Sequence, residues 1–475
     1  MSRGLSVVAA VWTLVAWHAA LCAAEASPVK AGAYAQDITP PQFPISVNGN
    51  MADHFATAAH DPLHARCLVL ANAQTSLAIV VCDSCMIPRQ IIDSARQRAS
   101  YRTGIPAANV LVSATHAHSC PTVAGVFQSD PDDNYRQFLS DRIVEGIERA
   151  WQRLEPARVG WTTAIDETQV FNRRWHLKEG VIGENPFGQK VDRVRMNPGY
   201  SSPDVTEPAG PVDPQVSVLA VQSRDGRPIA LLANYSLHYV GGVPGDVVSA
   251  DYYGEFAVRV NRLIGGEGCV AIMSNGTSGD VNNVNFRLAT APKRMPFEQI
   301  GVVAESVAQK VAAAYQGIEF AEKLVLGSRD REIQLGVRKP TREEVIAAEK
   351  LLSEAKERPL KDRQLIYARE TALLAAYPET VEARLQALRI GDLAIVSSPC
   401  ETFTETGLAI KQDTPFKHTF TIELANGYNG YLPTPQQHEW GGYETWRARS
   451  SYLAVDAEPK IRATLLELLG ELHGN

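Results

Sequence analysis

Short apolar, β-branched runs alternate with segments of helical period along this chain. Residues 77–82 (Leu-Ala-Ile-Val-Val-Cys) and 110–114 (Val-Leu-Val-Ser-Ala) are too short for helices, and their composition predicts buried strands. Between them, residues 90–100 carry helical spacing. From 134 to 151, Tyr135, Phe138, Leu139, Ile143, Ile147 and Trp151 recur once per turn behind Asp132 and Asp133, which predicts an amphipathic helix with an acidic cap. Apolar runs at 216–221 and 229–233 flank Arg224-Asp225-Gly226, a hairpin signal, so the sheet is expected to be mixed. From 341 to 377 the composition shifts to Glu, Lys, Arg, Ala and Leu; a capping box at Thr341 and Glu344 opens the segment and Pro359 divides it. It reads as a helical hairpin inserted at the surface. Two strands then surround Gly391-Asp392, the second at 393–396, and an amphipathic helix near 459–472 closes the chain. The expected fold class is α/β, with mixed β-sheets flanked by helices in a single domain over residues 27–475.

Bulk properties narrow the function. A chain of 475 residues with 45% apolar residues has ample material for a core. Its net charge of −7 offers no basic face for nucleic acid, so small-molecule chemistry is the better expectation. Arg3, the apolar stretch 5–20 and the small residues Ala23, Ala24 and Ala26 have the layout of a secretory signal over residues 1–26, so export to the periplasm or outside the cell is expected. Ala-Ala-Leu before Cys22 is a poor lipidation box, and no later run is long enough to span a bilayer. Of the remaining cysteines, Cys67, Cys82, Cys85, Cys120, Cys269 and Cys400, most sit inside strand-like runs and are expected as buried thiols; the Cys82-x-x-Cys85 pair has no second pair to complete a zinc site.

The chemistry-bearing residues follow predicted strands. His116 and His118 come after one, His238 ends another, Asn275 follows a third, and Glu401 comes after 393–396. Carboxyl ends of strands are where open α/β folds place ligands. In an extended segment, residues two apart share a face, so His116 and His118 can share a metal, or one can bind it while the other meets substrate; a hydrogen-bonded surface pair is the alternative. Two histidines and one glutamate with an open position form a catalytic zinc set. Taken singly, His238 fits a core histidine and Glu401 a helix cap.

Ala-Thr-His116-Ala-His118-Ser, Asn275-Gly-Thr-Ser-Gly-Asp-Val281, Ser-Ser-Pro-Cys-Glu401 and Asn-Gly-Tyr-Asn-Gly-Tyr431 resemble, in order, motifs of the neutral (alkaline, non-lysosomal) ceramidase family. The family motifs are Thr-His-Thr-His-Ser-Gly, Gly-Asp-Val-Ser-Pro-Asn, Pro-Gly-Glu and Tyr-x-x-Tyr. The resemblance implies Zn2+ held by His116, His238, Glu401 and Tyr431, with Tyr443 facing substrate. It further implies His118 as an acid/base or oxyanion partner, Arg173 near the scissile carbonyl, and Asp251 as a supporting carboxylate or helix cap; for Arg173 and Arg174 the alternative is a solvated surface pair. Asn282 stands where the family has serine, and an amide side chain cannot form an acyl-enzyme, so hydroxide generated at the zinc is the expected nucleophile, with Ser278 the other candidate. The family continues into an immunoglobulin-like domain where this chain stops. The inserted helices and the stretch around His438-Glu-Trp440 are expected to reshape the pocket mouth.

The expected function is hydrolysis of an N-acyl amide bond by an exported zinc enzyme, its partner a small molecule such as an N-acylated lipid. An esterase or deacetylase acting on a polar, sugar-like substrate is the second expectation, since the sequence displays no obvious apolar membrane-docking segment. A non-catalytic binding protein on the same scaffold is the third.

Overall fold

The apolar runs assemble into two sheets whose central strands are covered on both faces, which is why those strands show continuous apolar stretches and not simple alternation. A computed structural model describes residues 25–474; the leader region 1–24, where most of the secretory signal falls, lies outside the described residues. The larger sheet contains β1 (Lys30–Asp37), β2 (His64–Ala71), β3 (Ser76–Cys82), β4 (Val110–Ala114), β5 (Glu155–Ile165), β6 (Gln215–Ser223), β7 (Pro228–Tyr235) and β8 (Val270–Asn275), in the order β8-β7-β6-β5-β1-β2-β3-β4. Only β8 with β7 and β3 with β4 run parallel. The smaller sheet holds β9 (Leu326–Gly336), β10 (Thr380–Ile390), β11 (Leu393–Ser397) and β12 (His418–Ile422) in that order, with β11 and β12 parallel. The sequence-predicted α/β class with mixed sheets is the observed one. The hairpin between β6 and β7 turns at Gly226, whose φ of +93° suits glycine.

Alternate residues of one strand serve different layers. In β2, Cys67 and Val69 face a core made with the helices α1 (Arg89–Thr103), α2 (Asp133–Gln152), α3 (Asp251–Ile264) and α4 (Glu298–Tyr315). Leu68 and Leu70 face the opposite way and meet Leu388, Ile395 and Phe420 of the smaller sheet. The far side of the smaller sheet is closed by α7 (Thr404–Asp413) and α8 (Ala457–His473) through Ile410, Ile461, Leu465 and Leu469. The result is four layers, helices on sheet on sheet on helices. The cap of α2 is as expected, the Asp132 side chain accepting from the Tyr135 amide at 2.9 Å. The predicted surface insertion is α5 (Arg342–Glu354) and α6 (Arg363–Leu374), with its capping box formed at Thr341.

Two features bring the site together. The halves of the larger sheet are joined over a short stretch, where Lys30 and Ala31 pair with Pro156 and Glu155, and the β8 and β4 edges turn toward each other. The segment leaving β12 then stitches them: the Glu423 amide donates to the Asn275 carbonyl, and the Ala114 amide donates to the Leu424 carbonyl, both at 3.1 Å. The six cysteines expected as thiols are all free and buried. No helix among the described residues is long and apolar enough to cross a membrane.

Candidate metal centre

The strand β4 ends at Ala114 and the chain turns sharply beyond it. The His116 amide donates to the Ser84 carbonyl at 2.9 Å and His116 takes a φ of +74°, a strained value for a residue with a Cβ. The two histidines therefore do not share the face of an extended strand, as the spacing predicts. Their rings meet edge-on, centroids 4.6 Å apart, with His118 Nε2 3.1 Å from His116 Nε2. His238, three residues beyond β7, brings its ring to 4.3 Å from that of His116. Glu401 lies in a short parallel pairing with Tyr431 and points Oε2 to 3.2 Å from His116 Nε2 and 3.9 Å from His238 Nε2.

The unpaired atoms define the chemistry. His116 Nδ1 donates to the Cys85 carbonyl at 2.8 Å, and His238 Nδ1 donates to the Ser278 carbonyl at 3.1 Å. Each ring, when neutral, thus presents its Nε2 lone pair inward, as such hydrogen bonds to the other ring nitrogen do for metal-binding imidazoles. Glu401 Oε1 accepts from the Tyr428 hydroxyl at 3.0 Å, whereas Glu401 Oε2 and His238 Nε2 are buried without a hydrogen-bond partner. Buried polar atoms without partners cost on the order of 1–3 kcal/mol each. Acceptors facing acceptors call for a cation between them, and His116, His238 and Glu401 have ligand atoms mutually within 4.8 Å. Two imidazoles and a carboxylate suit zinc. Tyr431, the fourth expected ligand, lies beside this group, its hydroxyl within hydrogen-bond reach of Glu401 and accepting from Arg173 Nη2 at 3.1 Å. A second grouping, Cys85 with His116 and His118, fits less well, since burial raises the Cys85 thiol pKa and His116 Nδ1 is already committed to a carbonyl.

The electrostatics are those of a buried charge cluster. Burial works against a charged His116, yet Glu401 lifts its pKa well above the ordinary imidazole value; burial likewise opposes ionisation of Glu401, but His116 holds it below the usual carboxylate range. His118 and His238 are pushed far down, by burial first and then by His116 and Arg173. Both stay neutral bases at physiological pH.

Arg173 and Arg174 are not a solvated surface pair. They are 5% and 0% exposed, and both grip Glu444, which is itself fully buried. Arg173 Nε donates to Glu444 Oε1 at 2.9 Å and Arg174 Nη1 to Oε2 at 2.6 Å. Arg173 also donates to the Gly279 carbonyl at 2.8 Å, so its guanidinium is fixed beside Tyr431. Arg174 faces away, donating to Gln437 Oε1 at 3.0 Å and the Gly441 carbonyl at 2.7 Å. The stretch around His438 thus supports Arg174. Tyr443, next to Glu444, sets its ring 5.8 Å from that of Tyr431 and lines a cavity of about 480 Å³ with Asp192, Arg195, Arg363 and Trp446.

His118 is held as a slab. The Tyr239 ring stacks on it at 3.7 Å and 16°, while on its other side a Cβ at Gly49 would lie 2.4 Å from His118 Cγ. Asp251 secures the Tyr239 loop: its carboxylate accepts from the Val240, Gly241 and Tyr252 amides at 3.1, 2.8 and 2.6 Å. Asp251 is the first residue of α3 and its side chain ties a loop to that helix, which is the supporting position expected of it. Burial pushes its pKa up to about 6. His118 and Tyr239 face a second cavity of about 350 Å³.

The serine question resolves by position. Asn282 hydrogen-bonds Asn197 at 2.8 Å and the Val284 amide, on the outer part of its loop. Ser278 lies under His238 but donates its hydroxyl to Glu423 Oε1 at 2.6 Å. Glu423 also accepts the Thr402 amide at 2.7 Å, so it ties the Ser278 loop to the Glu401 strand; burial pushes its pKa up to about 8. Glu444, Tyr239, Gly49 and Glu423 were all missed in sequence; of these Glu444, adjacent to Tyr443, and Tyr239, adjacent to His238, had a nearby signal.

No family model matches the chain, and no curated protein matches it in sequence. Solved structures do match. The fold is similar to that of a neutral ceramidase from Pseudomonas aeruginosa, with a TM-score of 0.70 and 19% identity over 94% of this chain and 75% of that one. It is similar also to a ceramidase complexed with C2, with a TM-score of 0.70 and 17% identity over 94% and 76% of the two chains.

Proposed function

We propose that this chain, which has the neutral ceramidase fold, is a zinc-dependent hydrolase of N-acyl amide bonds. The observation that carries the proposal is the pair of buried, partnerless acceptors, His238 Nε2 and Glu401 Oε2, turned toward His116 Nε2. A zinc ion held by His116, His238, Glu401 and Tyr431 supplies Lewis acidity and lowers the pKa of water to about 7.

The chain's own residues do the rest. His118, neutral and fixed between Tyr239 and Gly49, takes the proton released as water adds to the carbonyl carbon and returns it to the amide nitrogen. The nitrogen leaves as a free amine and the acyl part as a carboxylate. Arg173, held by Glu444 and Gly279, directs a fixed cation at the oxygen that gains negative charge, and the Tyr443 hydroxyl is placed to donate there too. Arg173 acts without reorganising, because its side chain is anchored before substrate arrives. Export is part of the same proposal, resting on the leader pattern in residues 1–26.

The cavity beside Tyr443 favours a second reading. Asp192, Glu184, Arg195 and Arg363 line it, which suits a polar group on the amine side, and supports deacylation of a sugar-like substrate. Profiling of the pure protein separates the two. Release of amine from N-acylsphingosine, lost on chelation and restored by zinc, supports the first; turnover of acylated sugars alone transfers the assignment to the second. His118→Ala is expected to keep its zinc and lose about 10²–10⁴-fold in turnover. A zinc-loaded wild type that cleaves no amide or ester overturns both.

A further inference from the structure

Residues 283–297 form a lip at the mouth of the site, and its composition differs from that of the rest of the chain. Between Asp280 and Glu298 there is no carboxylate, yet Arg287, Lys293 and Arg294 are present, in a chain whose net charge is −7. All three cations are exposed and none has a carboxylate partner among the described residues. Next to them in sequence, Leu288 and Met295 are 43% and 73% exposed. Exposed apolar side chains interleaved with unpaired cations, on a segment without acids, are what an anionic lipid surface attracts.

The lip is tied to the catalytic elements at both ends. At one end Val281 and Asn282 pair with Asn172 and Phe171, immediately before Arg173. At the other, the Phe297 amide donates to the Gly242 carbonyl at 3.1 Å, on the loop that carries Tyr239. Behind the lip lies a trough of about 790 Å³ whose lining includes Phe171, Tyr200, Leu288, Met295 and Phe297. Gly241, Gly242, Val243 and Pro244 line both this trough and the cavity that holds His118.

We propose that the 283–297 lip docks the protein on anionic lipid bilayers, placing the trough against the membrane so that an N-acyl lipid reaches the metal centre without crossing water. The proposal extends the amide-hydrolase assignment by naming where its substrate is met. The Coulomb part comes from Arg287, Lys293 and Arg294, and Leu288 and Met295 enter the interface.

The test is partition of the full-length protein into phosphatidylcholine vesicles with and without phosphatidylglycerol, measured by flotation. Wild type is expected to bind the anionic vesicles, less so as salt rises. A Lys293→Glu/Arg294→Glu double variant is expected to lose about tenfold or more in partition, and Leu288→Ser/Met295→Ser to weaken binding at either salt level. Their melting temperatures should match wild type, since these side chains are exposed. Equal binding of the charge-reversed variant and wild type, or no preference of wild type for anionic vesicles, overturns the proposal. Vesicle binding needs no turnover, so a protein that binds but hydrolyses nothing refutes the amide assignment alone, and one that hydrolyses a soluble amide without binding vesicles refutes the lip alone.

Discussion

Glu444→Gln perturbs stability and catalysis through one buried carboxylate. Glu444 is fully buried and divides its oxygens between two guanidiniums, at 2.9 Å from Arg173 Nε and 2.6 Å from Arg174 Nη1. Glutamine keeps the shape, but one of its two polar atoms becomes a donor facing a donor, and two cations remain in the interior with no counter-charge. Leaving buried charge uncompensated costs about 3–5 kcal/mol. With an unfolding entropy near 2 cal/mol/K per residue, a chain of this length loses roughly 1 °C per kcal/mol, so the melting temperature should fall by about 3–5 °C. Arg173 keeps its bonds to Gly279 and Tyr431 but loses the one that sets its tilt, and kcat/KM should fall by about tenfold or more with zinc retained. Lys361→Ala is the control, since its pairing with Glu357 is solvent-exposed and should leave the melting curve unmoved. Calorimetry and initial rates on the same preparations decide the matter. A Glu444→Gln protein that melts within about 1 °C of wild type and turns over at the same rate refutes the reasoning.

Three further outcomes are expected. Gly49→Ala puts a methyl group 2.4 Å from His118 Cγ on a backbone with φ +106°, so kcat should drop by about two orders of magnitude while bound zinc, measured by mass spectrometry, is unchanged. Tyr239→Phe preserves the stacked ring and should keep wild-type kcat, whereas Tyr239→Ala should lower kcat more than it changes KM. His438 has its pKa lowered to about 3, by burial and then by Arg338 and Arg174. A depressed histidine favours the native state only while the ring is neutral. That contribution is intact above the unfolded pKa near 6.5 and is lost as pH falls from there toward 3, at up to about 1.4 kcal/mol per pH unit. Denaturant melts at pH 7 and 5 should show less acid sensitivity in His438→Asn than in wild type.

The strands and the main helices were legible because their apolar runs and caps are local signals. Four layers were not, because strands apolar on both faces, such as β2, do not say which neighbour each face meets. Residues that follow strands pointed to the site: His116, His238 and Glu401 were visible as a group, and the structure brings them together. What holds them was hidden by distance. Arg173 and Glu444 are separated by 271 positions, and two adjacent arginines in a polar stretch read as solvated until the carboxylate that neutralises them is placed. Gly49 carries no signal of its own, since its role depends on a ring arriving from His118. No continuous apolar run marks a membrane-docking segment in the sequence; in the proposed lip Leu288 and Met295 are interleaved with cations and form no such run.

The central claim is that His116, His238, Glu401 and Tyr431 hold zinc, with His238 Nε2 and Glu401 Oε2 the buried atoms that have no hydrogen-bond partner of their own. Metal analysis of purified wild type beside His238→Ala tests it most directly. The account predicts one zinc per chain in wild type and its loss in the variant with the fold intact; zinc-free wild type after incubation with excess zinc, or a variant that retains its full zinc, contradicts it.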